Sequence, residues 1–272
     1  MRQAEKSALS IQITNKAISL GASLAGIAAV EQLKKSPSHD IYTKIEPNQG
    51  VGSRDFAEGV KPGEVAWPPS AKSALVIALA HKEDDLEMDW WVVGDDDRES
   101  RGYRLLLDIL DDVSKWVAKE LAITTHPLPY HVEKGGIFYK DAGVLAGLGC
   151  IGKNNLLLTP QYGPRVRVWA LLLDEELPPT GPVIYDPCDG CDEPCRQACP
   201  RNAFGRIAHS PIEMGMVTLP GKNGWYDRET CRPETEKNIE NKEFIQLGGH
   251  AEPVEVIKFC RLCELSCPVG NG

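Results

Sequence analysis

Hydrophobic positions along the chain change period several times. Over 4–20, Ala8, Ile11, Ala17, Ile18 and Leu20 recur at roughly helical spacing, and Gly21 is a suitable stop. LAGIAAV (24–30) reads as a first strand. The stretches SPSHD and EPNQGVGSRD within 36–55 carry loop chemistry, and Trp67-Pro68-Pro69 closes that region. SALVIALAH (73–81) is a continuous apolar run that predicts a buried strand. From 100 to 121, Leu105, Leu106, Ile109, Leu110, Val113, Trp116 and Val117 mark one face of an amphipathic helix. PLPYHVEKGG (127–136) breaks the pattern, and FYKDAGVLAGLG (138–149) predicts a short helix ended by glycines. NLLLT (155–159) and VRVWALLLD (166–174) predict strands, the second central in a sheet. The elements describe a mixed α and β core that ends near Leu177. LPPTGP (177–182) has linker composition, and beyond it the hydrophobic period fades.

Composition narrows the classes. The chain has 272 residues, 42% hydrophobic and 25% charged, and so can bury a core without disulfide staples. Its net charge of −9 argues against a mainly electrostatic nucleic-acid or anionic-membrane binder. KEDDLEMDWWVVGDDDRES (82–100) concentrates nine acids against two bases. It reads as a solvated loop, with an acidic lid over a site as the alternative. MRQAEKSALS lacks the features of an export signal, and the apolar stretch 17–30 is too short and interrupted to span a bilayer. A cytoplasmic protein is expected, where clustered cysteines hold metal more often than they form disulfides.

The nine cysteines carry the strongest signal, and eight of them fall in 188–272. The first run is Cys188-x2-Cys191-x3-Cys195-x3-Cys199-Pro200. The second is Cys260-x2-Cys263-x3-Cys267-Pro268, with Cys231 upstream. Two groups of four, each holding a Cys-Pro, match a protein with two [4Fe–4S] clusters, in which the cysteine before proline reaches across to the other cluster. That rule puts Cys188, Cys191, Cys195 and Cys267 on one cluster. Cys199, Cys231, Cys260 and Cys263 go to the other. Three residues between Cys191 and Cys195, and the remote position of Cys231, depart from the bacterial ferredoxin spacing. Two four-cysteine zinc sites are the alternative.

AGLGCIGKNN (146–155) resembles two nucleotide motifs without satisfying either. Gly147-x-Gly149-x-x-Gly152 follows a helical pattern and precedes a strand, the reverse of a dinucleotide fingerprint. Gly152-Lys153 is followed by Asn154, so the Mg²⁺-holding hydroxyl of a phosphate loop is missing. Two readings stay open. One is a tight turn. The other is a loop that lets backbone approach a large cofactor, with Lys153 and Asn154 donating to it.

EKGGIFYKDAGVLAGLGCIGKNNLLLT, the GPRVRVWALLLDEELP strand and the two cysteine runs together resemble the epoxyqueuosine reductase family and, more distantly, reductive dehalogenases. The resemblance implies an α+β fold. A nitroreductase-like cobalamin-binding domain would span 1–180 and a ferredoxin-like domain with two [4Fe–4S] clusters 181–272. It implies that Gly147, Gly149, Gly152, Lys153 and Asn154 lie against the corrinoid. The family's general acid is an Asp, whose position falls here on Glu133, with Tyr139, Lys140 and Asp141 as nearest competitors. Cys150 stands where the family usually has Trp, and reads as a small buried hydrophobe. The helical repeats of the tRNA-acting members are not found after Cys267. Their absence, with the negative charge, argues against tRNA. The expected activity is reduction of a small substrate by a corrinoid fed through the clusters, with electrons from a low-potential donor of ferredoxin or flavodoxin type. An electron-transfer or corrinoid-activating protein, and an FMN-dependent reductase, are the alternatives.

Overall fold

The computed structural model describes residues 2–45, 65, 67–81, 85–94, 98–132, 135–248 and 250–270. Its N-terminal part contains helix α1 (Gln3–Ser19) and strands β1 (Leu24–Ala29) and β2 (Ser73–Ala80). Two short strands, β3 (Trp91–Val93) and β4 (Arg98–Ser100), lead into helix α2 (Arg101–Trp116). Then come β5 (Thr125–Pro127), helix α3 (Tyr139–Leu145), the two-residue strands β6 (Cys150–Ile151) and β7 (Leu157–Leu158), and β8 (Val166–Leu173). Helix α4 (Arg228–Glu240) and strands β9 (Glu243–Ile245) and β10 (Val254–Ile257) follow.

The main sheet has the order β1-β2-β8-β5, with every pair antiparallel. Side chains on a strand alternate between its faces, and both faces of this sheet are covered. Leu75, Ile77, Trp169, Leu171 and Leu173 point to the face packed by α1 and α2. Ala74, Val76, Val168, Ala170 and Leu172 point to the face packed by α3, through Ala142 and Ala146. That double burial is why 73–80 and 166–173 are continuous apolar runs and not alternating ones. Trp169 donates from Nε1 to the Leu128 carbonyl at 3.0 Å, which satisfies its polar edge inside the core. Helix α2 starts at Ser100, whose hydroxyl accepts from the Tyr103 amide at 3.2 Å.

Several elements differ from the sequence expectation. The acidic segment is not simply a solvated loop: Leu86–Asp89 forms a 3₁₀ turn, Asp89 is buried, and β3 and β4 follow. These strands join β10 and β9 in a second sheet, order β4-β3-β10-β9. That sheet crosses the expected boundary at 180, because Val256 and Ile257 pair with Val92 and Trp91. SPSHD holds a short helix, Pro37–Tyr42, with Pro37 at its first turn where a missing N–H costs nothing. The Ser38 amide there donates to Asp141 Oδ2 at 2.8 Å, a contact between distant parts of the chain that local composition does not encode. The rest of the 36–55 expectation lies outside the described residues beyond 45. Among the described residues, no helix is long and apolar enough to cross a membrane.

Leu171 sits on the central strand and is 1% exposed. Leu171→Ala should lower unfolding stability by about 2–5 kcal/mol, the usual cost of a core cavity. Thermal or denaturant unfolding of the anaerobically prepared protein checks this.

Candidate functional site

Local structure sets the cysteines on turns and helix ends. Cys188 and Cys191 share a tight turn, in which the Cys191 amide donates to the Cys188 carbonyl at 3.4 Å. Cys195 lies in the short helix Pro194–Gln197, and Cys199 follows it. Cys263 lies in Leu262–Leu265, between Cys260 and Cys267, and Cys231 is in the first turns of α4. The fold then sorts them by space and not by sequence. Burial, then the charges of Cys267, Cys188 and Cys191, push the Cys195 thiol up to about 11. Burial, then Cys260, Cys231 and Cys199, push Cys263 up to about 12. Cys267 is raised by burial and by Cys188 and Cys191, although Cys263 is much nearer in sequence. Cys260 is raised by burial and by Glu234, Cys231 and Cys199. Cys188, Cys191, Cys195 and Cys267 line one small cavity, with Cys263 packed nearby, while among the described residues no three such side chains are gathered as metal ligands.

The donor chemistry of these groups fits a cationic centre. Two thiols of each set, Cys195 with Cys267 and Cys260 with Cys263, are raised by burial and by neighbouring cysteines, a cost that a cationic centre would offset. Backbone amides already aim at the sulfurs. Lys153 N–H approaches Cys188 Sγ at 3.4 Å, and Ala203 N–H approaches Cys199 Sγ at 3.3 Å. Cys150 packs beside Cys188, Cys195 and Cys267, and burial pushes its thiol up to about 11.

The glycine loop takes a different role from the one expected. Cβ atoms on these glycines would strike the protein itself. At Gly149 one would lie 1.9 Å from the Leu158 carbonyl oxygen, and at Gly152 2.5 Å from Leu158 Cδ1. Gly147 has φ +76° and would meet the Thr180 carbonyl oxygen at 2.7 Å. The small residues are required by the β6–β7 hairpin and the 180–181 crossing. Lys153 and Asn154 are likewise committed to the cysteine segments. Lys153 Nζ pairs with Glu193 at 2.7 Å, and its carbonyl accepts from Arg196 at 2.8 Å. Asn154, 3% exposed, donates to the Cys263 carbonyl at 3.2 Å. Both side chains wall the small cavity beside Cys188, Cys191, Cys195 and Cys267. The loop is a seat for the cysteine segments.

A larger cavity of about 570 Å³ opens on the other side. The residues just after the glycine loop, Asn155, Leu156 and Leu157, form part of its wall. Val166, Arg167 and Val168 line it from β8, and Tyr226, Arg228 and Arg261 from the cysteine-bearing segments. Glu133 lies outside the described residues; His131, Val132 and Ile137, which flank it in sequence, line the cavity. Of its competitors, Tyr139 and Lys140 line the cavity and Asp141 does not. Asp141 is spent on Ser38, accepting from its amide at 2.8 Å and its hydroxyl at 2.9 Å. Tyr139 donates to the Pro129 carbonyl at 2.5 Å, and burial holds its phenol well above the ordinary value. Lys140 donates to the Asn155 carbonyl at 2.7 Å; burial brings its ammonium down to about 8.

One cluster in the cavity wall has no sequence signature. Asp89 Oδ2 lies 2.7 Å from His81 Nδ1 and 2.7 Å from Arg261, and Asp89 Oδ1 pairs with Arg167. Burial alone would raise the Asp89 carboxyl, but His81, Arg167 and Arg261 outweigh it and bring it down to about 2. Arg261 also pairs with Glu264 at 2.5 Å. This network ties the end of β2 and the middle of the sheet to the loop between Cys260 and Cys263. Only the buried position of Asp89 reveals it, and in sequence Asp89 is one acid among nine.

The fold is similar to those of solved epoxyqueuosine reductases and of a catabolic reductive dehalogenase. A solved epoxyqueuosine reductase in complex with an epoxyqueuosine-modified tRNA stem loop superposes with a TM-score of 0.60 at 19% identity, covering 97% of this chain and 66% of that one. In sequence, the chain is 31% identical over 143 residues to the epoxyqueuosine reductase of Bacillus cereus, covering 50% of this chain and 37% of that protein. It is 35% identical over 131 residues to a tetrachloroethene reductive dehalogenase of Desulfitobacterium hafniense, covering 42% of this chain and 23% of that protein. These are the two families that the sequence resembles. The chain thus spans well under half the length of these curated relatives. No protein-family model matches it. A solved structure with this fold holds a tRNA stem loop, so the expectation against tRNA is not supported.

Gly149→Ala should destabilise the fold itself. The hairpin must open to free the Leu158 carbonyl, so unfolding temperature and iron content should fall together. Loss of corrinoid binding with both unchanged would restore the cofactor-facing role of this loop.

Proposed function

We propose that the chain is a reductase that passes electrons through two [4Fe–4S] clusters to a corrinoid held in the large cavity. The observation that supports this reading is the pair of cysteine runs, one of which lines a small cavity through Cys188, Cys191, Cys195 and Cys267. In this reading Cys188, Cys191, Cys195 and Cys267 hold one cluster, and Cys199, Cys231, Cys260 and Cys263 hold the other. The nitroreductase-like part is 1–180 and the ferredoxin-like part 181–272. The shared β3–β10 sheet makes the two one folding unit. The reducing partner is a low-potential protein of ferredoxin or flavodoxin type, and the reducing compartment is the cytoplasm.

Cobalamin comes from the family resemblance, and a cavity of about 570 Å³ would take only part of it. Leu156, Leu157, Val166 and Val168 offer an apolar wall, while Lys140, Arg228 and His81 offer polar groups around it. When bound, the corrinoid supplies a low-potential metal centre for reduction. The chain's own residues exclude water, orient the substrate and deliver a proton. Glu133 is proposed as the proton donor, because it occupies the family's acid position and its described flanking residues line the cavity. The substrate is an organic molecule, or part of one, that enters a cavity of about 570 Å³.

Anaerobically prepared protein should contain about eight iron and eight acid-labile sulfides per chain. Cys267→Ala should remove the electron paramagnetic resonance signal of the cluster on Cys188, Cys191 and Cys195 and keep the other. Stoichiometric zinc with negligible iron would overturn the cluster reading, and a flavin spectrum the corrinoid one. Glu133→Gln should keep iron and cobalamin binding but slow turnover by about 10²-fold or more; unchanged turnover would remove Glu133 from the proton path.

A further inference from the structure

The large cavity carries a charge pattern opposite to that of the chain. Net charge is −9, yet the described residues lining the cavity include four fixed cations, Lys140, Arg167, Arg228 and Arg261, against two carboxylates, Asp89 and Glu264. Both carboxylates are committed. Asp89 faces Arg167 and Arg261, and Glu264 faces Arg261. Among the described residues, Lys140 and Arg228 have no carboxylate partner within ion-pairing distance. Lys140 uses one donor, on the Asn155 carbonyl. Arg228 interacts with Tyr226 and the Cys231 sulfur. An ammonium has three donors and a guanidinium five, so both keep donors for a further acceptor. His209, in the same wall, is held below its ordinary range by burial and adds no charge near neutral pH.

Lys140 and Arg228 are both partly exposed at the wall of this one cavity. A cavity with more cations than carboxylates favours an anionic ligand. We infer that the cavity contains an oxyanion subsite, in which Lys140 and Arg228 together hold a phosphate or carboxylate group of the bound molecule. The guanidinium fork suits the two oxygens of such a group, and the ammonium adds a charge that can adjust to its position. Tyr139 and Tyr226 stand beside the two cations and offer apolar surface to the rest of the ligand. The subsite depends on the cavity and its charges, and not on which cofactor the protein carries. The anion has two possible sources, the nucleotide phosphate of a corrinoid or an acidic group of the substrate.

The test is calorimetric titration of the full chain, with clusters reconstituted, against inorganic phosphate at constant ionic strength. One phosphate should bind per chain. Lys140→Gln should weaken it about tenfold or more, as expected for a lost charge-assisted hydrogen bond. Lys140→Arg should stay within about threefold of wild type, because it keeps the charge. Arg228→Gln should act like Lys140→Gln, provided its iron content equals wild type; Lys140→Gln decides the matter if it does not. Absence of phosphate binding by the wild type would overturn the subsite. So would equal binding by Lys140→Gln with iron content and unfolding temperature unchanged. Titration with cobalamin and with cobinamide, which lacks the nucleotide phosphate, identifies the source. Weakening by Lys140→Gln confined to cobalamin assigns the anion to the cofactor. Phosphate still binding to the cobalamin-loaded chain assigns it to the substrate. The phosphate titration needs no corrinoid, so failure of the cobalamin reading and failure of the subsite are separate results.

Discussion

Thiols gathered in fours resist ionisation, because each thiolate raises the cost of the next and burial removes the water that would screen them. The cysteine-bearing C-terminal third of this protein meets that cost at Cys195, Cys260, Cys263 and Cys267. Cys188, Cys195 and Cys267 are buried together, and Cys263 is pushed up to about 12 by burial and its three neighbours. No amount of apolar packing relieves such a cost; a cationic centre does, and its binding free energy then becomes folding free energy for the segments that carry the ligands. The proposed clusters would account for the sparse hydrophobic period beyond Leu177, since a region stapled by metal needs less core of its own.

The remaining problem is to hold these segments against the sheet, and it is solved with polar contacts. Arg165 donates to the Cys267 carbonyl at 3.3 Å and to the Val269 carbonyl at 2.7 Å. Asn154 reaches the Cys263 carbonyl, and Lys153 pairs with Glu193. Arg261 carries the Cys260–Cys263 loop onto Asp89 and His81. Each of these bonds joins the first 180 residues to the last 92 through backbone or buried charge, where geometry is strict. The glycines of 147–152 belong to the same mechanism. They let the β6–β7 hairpin close tightly enough to present Lys153 and Asn154 to the cysteines.

The cavity follows from that seating. Its walls come from the sheet on one side and the cysteine segments on the other, so it exists only because the two are docked. A ligand there would lie between the sheet and the segments bearing Cys231, Cys260 and Cys263. Docking also leaves Lys140 and Arg228 without a carboxylate within ion-pairing distance among the described residues, whereas Arg167 and Arg261 pair with Asp89. The same contacts that make the cavity thus set its residual charge.

Local pattern sufficed for the long elements. The apolar runs 73–80 and 166–173 and the amphipathic stretch after Ser100 are visible in sequence, since burial on both faces or on one stripe leaves a period that residue types must obey. Spacing also carries the proposal of two crossing cysteine groups, since Cys-x2-Cys and Cys-Pro are local patterns. What only the tertiary structure decided were contacts between residues far apart in the chain. β3 and β10 pair across more than half of its length, and short strands of two to four residues carry no period of their own. Asp89 is buried because His81, Arg167 and Arg261 converge on it, and no neighbour in sequence announces that. The glycine loop has the letters of a cofactor loop, but which surface its atoms meet is fixed by Leu158 and Thr180. A glycine in sequence records that space is short; only the fold says what fills it.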